Sequence, residues 1–391
     1  MSEQPPLPPE RYARRLEGAR VAAAAAGLDA LLIGVGADLR YLTGYDALAT
    51  ERLTLLVVPA AAGAPPTLVV PRLEAAPARA CAGVSGGHVD IETWEETQDP
   101  MQLVAARLAD TPQSGGGDVG AVVVSDGMRA AFVLGLQAVL PGARFSVAST
   151  VLGELRMRKD ADEVALLRAA AQAADRVVAA IAAGRLIGRT EADVAREVRD
   201  RLVAEGHEQA EFAIVASGPN SASPHHQPGD RMIQAGDAIV LDIGGTLSGY
   251  GSDTTRTLWV TGGDQAKAPD EVYANLYAVL LDAQAEATAA VRPGVPCERI
   301  DGVARGLIAD AGYGAAFLHR TGHGIGLEGH EEPYIVDGNT RALEPGMAFS
   351  IEPGIYLEGR YGARIEDIVV CGEDGPIVLN EQPRELMIVP G

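Results

Sequence analysis

The sequence predicts an α/β domain followed by an α+β half with a pseudo-twofold internal repeat. Three observations carry that prediction. Short helical and strand patterns alternate as far as about residue 150, a long amphipathic helical pattern then begins, and one spaced motif occurs twice beyond that helix. At 391 residues the chain is also longer than one hydrophobic core usually sustains. The boundary falls near Leu155, giving domains 1–155 and 156–391.

The first element is an Ala-rich helix over Arg11–Ala26, stopped by Gly27, and Ala30–Ile33 begins a strand. Two apolar β-type runs come next, Leu53–Val58 and Leu68–Val70, bounded by Pro59 and Pro71. Ala121–Ser125 gives a further strand after an SGGGD loop, and Met128–Leu140 a helix. No ligand-type residues cluster in this part. The second half opens with a long helix ending at Gly184, whose apolar stripe includes Val164, Leu167, Val177, Val178 and Ile181. A second helix, Glu191–Ala204, has Thr190 as a cap candidate and stops at Gly206.

The repeat is legible as spacing. Arg231-x-Ile233-x-x-Gly236-x-x-x-x-x-Asp242-x-Gly244 matches Arg341-x-Leu343-x-x-Gly346-x-x-x-x-x-Glu352-x-Gly354. Each copy follows a helix pair, the second pair being about Asp270–Val291 and Cys297–Ala311, and each precedes a hairpin with another acid. Two related halves would then offer acidic hairpins to one shared cleft.

Composition limits what that cleft serves. A formal charge of −21 without Lys/Arg clusters excludes nucleic acid as a partner, because phosphates are repelled and no counterions are released. Hydrophobic content of 47% with 22% charged residues is that of a soluble globular protein. Val21–Gly36, the most apolar early stretch, is broken by Asp29 and glycines and falls short of a membrane span, and MSEQPPLPPE lacks the basic and apolar regions of a secretory signal. Cys81, Cys297 and Cys371 are odd in number and far apart, so neither a disulfide framework nor a thiolate zinc site is expected; a reducing cytoplasm is.

Asp242 ends the apolar run Ala238–Leu241, and Asp253 begins the run after GGTLSGYGS, so a hairpin brings both carboxylates to one face. Glu352 and Glu366 sit alike on either side of the EPGIYLEGRYGA loop. Four unpaired buried carboxylates would repel one another and raise each other's pKa values, which calls for cations. His323, in TGHGIGLEGHE, is the candidate nitrogen donor, with His319 and His330 close by and His225 and His226 just ahead of the first acidic strand. Oxygen donors with one imidazole suit Mn²⁺, Fe²⁺, Co²⁺ or Zn²⁺. Two such ions about 3.5–4 Å apart can bridge a water, lower its pKa and polarise a carbonyl, so hydrolysis is the implied reaction. Arg364 shares a strand face with Glu366 and should point to the same place, to bind a substrate carboxylate or to hold a ligand.

With these residues in view, the segments LDIGG, GYGSDTTRT, TGHGIGLEGHE, IEPGIY and RIED, in this order, resemble the pita-bread metallopeptidase family of Xaa-Pro dipeptidase (prolidase), aminopeptidase P, methionine aminopeptidase and creatinase. The first half, with LRYLTGY, resembles the creatinase-type N-terminal domain of prolidases and aminopeptidases P, which methionine aminopeptidases lack. The resemblance implies that Asp242, Asp253, His323, Glu352 and Glu366 hold two divalent ions, Mn²⁺ first and Co²⁺, Zn²⁺ or Fe²⁺ as alternatives. It implies that Glu352 doubles as general base for a bridging water attacking the scissile carbonyl. By the same likeness His225, directly after Pro224, is the substrate-binding and proton-handling histidine, which His226 is not; His330 binds the scissile carbonyl side or steadies the oxyanion. His319, Arg364 and Tyr250 would line the substrate pocket. Gly329 departs from the family, where a bulkier residue commonly precedes the second motif histidine. The implied activity is hydrolysis of the Xaa-Pro bond in a homodimer acting on proline-containing di- or oligopeptides, with dipeptidase the first reading and aminopeptidase P the alternative. A creatinase-like C–N hydrolase and a non-catalytic binding protein stand behind them, although binding relatives typically lose ligands and this chain keeps all five.

Overall fold

The computed structural model describes residues 7–111 and 118–391. It divides into two compact units, Met1–Arg156 and Met157–Gly391. Most of the expected SGGGD loop, and the start of MSEQPPLPPE, lie outside the described residues.

The first unit is built on a six-stranded sheet. Its strands are β1 (Ala30–Gly34), β2 (Leu55–Pro59), β3 (Thr67–Pro71), β4 (Asp90–Trp94), β5 (Ala121–Val124) and β6 (Arg144–Val147), in the order β4-β3-β2-β1-β5-β6. β1, β2, β3 and β5 are continuous apolar runs because both faces are covered, and every residue in them is buried. The edge strands β4 (DIETW) and β6 (RFSV) are largely accessible and carry no apolar pattern, so the sequence gives no cue to them.

In the second unit, helix Ala161–Ala182 starts with a capping box in which Asp160 accepts from the Glu163 amide and the Glu163 side chain accepts from the Asp160 amide. Helix Glu191–Ala204 is capped by Thr190, as expected. Both helices pack on a sheet that begins with β7 (Gln209–Ser217), β8 (Ala238–Leu247) and β9 (Tyr250–Val260), burying Val177, Ile181, Val198, Leu241 and Ile243 together. The second half of the unit has the same plan. Helices Glu271–Ala289 and Cys297–Asp310 precede β10 (Gly322–Gly324), β11 (Glu331–Ile335), β12 (Ala348–Ile351), β13 (Gly354–Leu357), β14 (Tyr361–Arg364), β15 (Asp367–Cys371) and β16 (Pro376–Val378). β11-β10-β12-β15-β16 form one sheet, β13 and β14 a separate ribbon, and the last strand, β17 (Met387–Val389), returns to complete the order β17-β9-β8-β7.

The internal repeat extends to individual backbone bonds. The Glu191 amide donates to the Arg231 carbonyl at 3.0 Å, and in the second half the Cys297 amide donates to Arg341 at 2.9 Å. Ile233 donates to Arg189 at 2.9 Å, and Leu343 to Val295 at 2.8 Å. Gly236 and Gly346, equivalent in the two motifs, both take left-handed backbone, with φ of 93° and 87°.

Candidate metal centre

β8 and β9 are joined through Ser248 and Gly249, both at positive φ, the two-residue turn that suits the twist of a tight hairpin. Its register sets Asp242 opposite Thr255 and Gly244 opposite Asp253. Asp242, Asp253 and Thr255 thereby share one face, while Leu241 and Ile243 point into the helix-covered core. On the other half, Glu352 follows β12 and Glu366 precedes β15, and β12 and β15 are paired, so these two acids emerge side by side. A bridge between Thr255 and Glu366 joins the halves, the Glu366 amide donating to the Thr255 carbonyl at 3.1 Å.

Donor atoms of Asp242, Asp253 and Glu366 lie within 4.8 Å of one another, as do those of His323, Glu352 and Glu366, and of Asp253, His323 and His330. The donor set fits divalent cations on a second ground. Asp242 Oδ1 and Glu366 Oε1 are buried without a hydrogen-bond partner, a costly state for carboxylate oxygens unless a cation faces them. Burial pushes the Asp253 carboxyl well above the usual carboxylate range, and the charges of Glu366, Asp242 and Glu352 push it further. Burial likewise raises Glu366, reinforced by Glu352 and Asp242, and it raises Asp242 against the opposing pull of Arg364. Burial works to raise Glu352 too, but His323, His319 and Arg364 outweigh it and bring that carboxyl down to about 2.

A supporting layer orients the donors. His323 Nδ1–H donates to the Gly324 carbonyl at 3.1 Å, turning Nε2 towards Glu352 and Asp253, at 3.2 and 3.6 Å. Ser350 donates to Glu352 at 3.1 Å, and the Thr255 hydroxyl donates to Glu366 at 2.7 Å while accepting from Arg364 Nε at 3.2 Å. Thr255→Val should therefore keep the fold and weaken metal retention about tenfold or more, read by titrating the stripped protein with Mn²⁺.

The histidines separate by role. His319 Nδ1–H donates to the Arg320 carbonyl at 2.7 Å, which leaves Nε2 to accept from the Tyr356 hydroxyl at 2.8 Å; Arg364 in turn donates to that hydroxyl at 2.7 Å. Burial keeps His319 below the usual histidine range, and therefore neutral. His330 is accessible and stacks its ring 3.9 Å from that of His323. Desolvation, with the charges of His323 and Arg320, lowers it to about 4. Gly329 beside it would meet nothing within 4 Å if it carried a Cβ, so a larger residue would fit there. His225 is exposed, and its charge acts on both His319 and His330. His226 instead donates to Glu191 at 2.7 Å.

One expectation changes. Tyr250 does not reach the cluster: it lies three residues from Asp253 on the same strand, hence on the opposite face, and its hydroxyl donates to Glu163 at 2.7 Å. Arg364 does point at the acids, and its buried guanidinium meets Asp242, the Tyr356 hydroxyl and the Pro224 carbonyl, contacts that suit the second of its two expected uses, holding a ligand in place. Sequence reasoning also misses Thr255 and Tyr356. Thr255 is within its reach, standing two residues beyond Asp253 on the same face; Tyr356 lies in a separate ribbon and carries no such cue.

Known proteins resemble this chain over nearly its whole length. The model of metallopeptidase family M24 matches residues 165–373, and that of the creatinase/prolidase N-terminal domain matches residues 15–158. A probable dipeptidase, PepE, of Mycobacterium tuberculosis is 48% identical over 382 residues, 97% of each chain. The crystal structure of dipeptidase PepE from Mycobacterium ulcerans superposes with a TM-score of 0.89 at 48% identity, covering 98% of this chain and 100% of that one. A prolidase from Thermococcus sibiricus gives 0.87 at 34% identity, covering 97% and 99%. The two-half catalytic unit is thus the pita-bread fold, and the chain belongs to metallopeptidase family M24.

Proposed function

We propose that the protein is a dinuclear Xaa-Pro dipeptidase, with residues 1–155 as its N-terminal domain and 156–391 as its catalytic domain. The observation that carries the reading is the pair of orphaned carboxylate oxygens, on Asp242 and Glu366, within a set of five donors drawn from both halves. Asp242, Asp253, His323, Glu352 and Glu366 would hold the ions, Mn²⁺ being the first choice for such oxygen-rich donors. When bound, the ions supply a water of lowered pKa and a polarised scissile carbonyl.

The protein's own groups do the rest. Glu352, an ionised carboxylate among the metal-type donors, accepts the proton of the attacking water. His330, neutral near pH 7, donates a hydrogen bond to the oxygen on which charge develops. His225, exposed and directly after Pro224, carries protons to and from the substrate amide. His319, locked by Arg320 and Tyr356, walls the pocket without titrating near neutrality. Three unpaired, buried cysteines fit a cytoplasmic setting, and the reading includes a homodimer.

Dipeptidase ranks ahead of aminopeptidase P because relatives named dipeptidase or prolidase reach 48% and 34% identity, whereas an X-Pro aminopeptidase and an aminopeptidase PepP match a similar length at 27% and 23%. The test is Mn²⁺-dependent release of proline from Ala-Pro beside N-terminal residue release from Ala-Pro-Pro, on one stripped and reconstituted preparation. Cleavage of Ala-Pro alone is the expected result. Efficient cleavage of the tripeptide makes the protein an aminopeptidase P, and inactivity on both with two ions bound overturns the reading.

A further inference from the structure

Glu191 is a fully buried carboxylate that the chemistry of the metal centre does not use. It stands in the first turn of helix Glu191–Ala204, where the amide dipoles favour a negative charge. Its Oε1 accepts from the Ser217 amide at 2.8 Å, the Ser217 hydroxyl at 2.7 Å and Asn220 Nδ2 at 3.0 Å; its Oε2 accepts from His226 Nε2 at 2.7 Å, Asn220 Nδ2 at 3.2 Å and the Gly229 amide at 3.4 Å. Every one of these donors belongs to a single stretch, from the end of β7 to Gly229, and that stretch carries His225.

The internal repeat supplies a control for what this carboxylate is for. Glu191 and Cys297 are equivalent, each donating its amide to the matching arginine carbonyl, Arg231 or Arg341. Cys297 is buried and uncharged, so the helix-to-strand register needs no carboxylate. The first half therefore has a charge that the matching register bond in the second half does without, surrounded by donors from one loop. From the other side, Arg364 donates through both terminal nitrogens to the Pro224 carbonyl at 3.3 Å. His225 is thus flanked by two anchors, the carbonyl of the residue before it and the side chain of the residue after it, while its own imidazole stays exposed and carries none of these hydrogen bonds.

We propose that Glu191 and His226 are positioning residues that aim His225 into the active site. Ordering an exposed histidine beforehand removes an entropic cost from each turnover, and a loop that wanders by an ångström loses that advantage. The proposal rests on the reading of His225 as a proton-handling group, and the experiment separates the two.

The test is a double-mutant cycle in the Mn²⁺-loaded protein with Ala-Pro as substrate, reading kcat, KM, bound metal and melting temperature for Glu191→Gln, His226→Ala, His226→Gln and His225→Ala, singly and combined with His225→Ala. Glu191→Gln and His226→Ala are expected to lower kcat about tenfold with metal content unchanged, and His226→Gln, which retains a donor to Glu191, to recover most of the loss. In the His225→Ala background neither substitution should lower kcat further. Losses that persist there, or single variants with normal kcat, overturn the positioning role. If His225→Ala is itself fully active, the reading of His225 fails and the positioning role falls with it. Should Glu191→Gln fail to fold, His226→Ala carries the same cycle, and loss of fold in both makes the pair structural and ends the proposal.

Discussion

Glu352→Gln is expected to fold, to bind substrate, and to lose turnover by about 10²-fold or more. The carboxylate follows β12, with Ser350 donating to it at 3.1 Å and His323 Nε2 at 3.2 Å, so an amide of the same shape can occupy its place. What the amide cannot do is take a proton. Because Glu352 is also a donor to the ions, metal content must be measured beside kcat: activity lost with two ions retained isolates the proton transfer, whereas ions lost with activity assigns the effect to ligation. His330→Ala should lose a comparable factor by a different route. Its ring is accessible and uses no backbone bond to hold the fold, so the variant should melt as the parent does and keep its ions if the ring binds substrate alone. Near-normal kcat in either variant would refute the role assigned to it.

The second large effect is a reversal of pH dependence when metal is removed. In the stripped protein Asp253 and Glu366 have folded-state pKa values well above the ordinary carboxylate value, through burial first and then mutual repulsion. The folded state therefore binds more protons than the unfolded chain at any pH between the two values. Stability falls as pH rises through that window, from the ordinary carboxylate range near 4 upwards. Ion-free protein should accordingly melt at higher temperature at about pH 7 than at about pH 8.5, above the range in which histidines titrate in the unfolded chain. Divalent ions compete with those same protons, so the gain in melting temperature from added Mn²⁺ should be largest at the alkaline end and shrink on acidification. Glu352, held low, works in the opposite sense in strong acid, and His207, His319 and His330, held below the ordinary histidine value, do so up to about pH 6.5, so the carboxylate effect stands alone only above that pH. A stripped protein whose melting temperature does not change between these pH values would show that the acids are not crowded by one another's charge.

Much of this site is legible in the chain because strand periodicity does the geometric work. Asp242, Asp253, Glu352 and Glu366 stand at strand ends in apolar runs, and a register that buries Leu241 and Ile243 on one face must put Asp242 on the other. The same rule removes Tyr250 from the pocket, since three residues along a strand is an odd step from Asp253. For Arg364 the period gives the direction and leaves two partners open, because spacing says where a side chain points and not what it meets first. The pattern of His225 and His226 is instructive in the same way. Adjacent histidines look alike in sequence, and only the position of Glu191, far upstream in the chain, tells which one is tied down. Edge strands β4 and β6 carry no signal at all, for solvent on one side removes the apolar run that marks their neighbours.

The division of donors between two related halves has a kinetic side. Each hairpin brings only two carboxylates together, and the full set exists only after the strand carrying Thr255 has met the segment carrying Glu366, a contact between residues distant in sequence. Contacts of that kind close late, after local helices and hairpins have formed. Without cations the closing step would press ionised carboxylates against one another, so it should be the slow step of refolding in chelator and the one that divalent ions accelerate, leaving the earlier hairpin-forming phases unchanged.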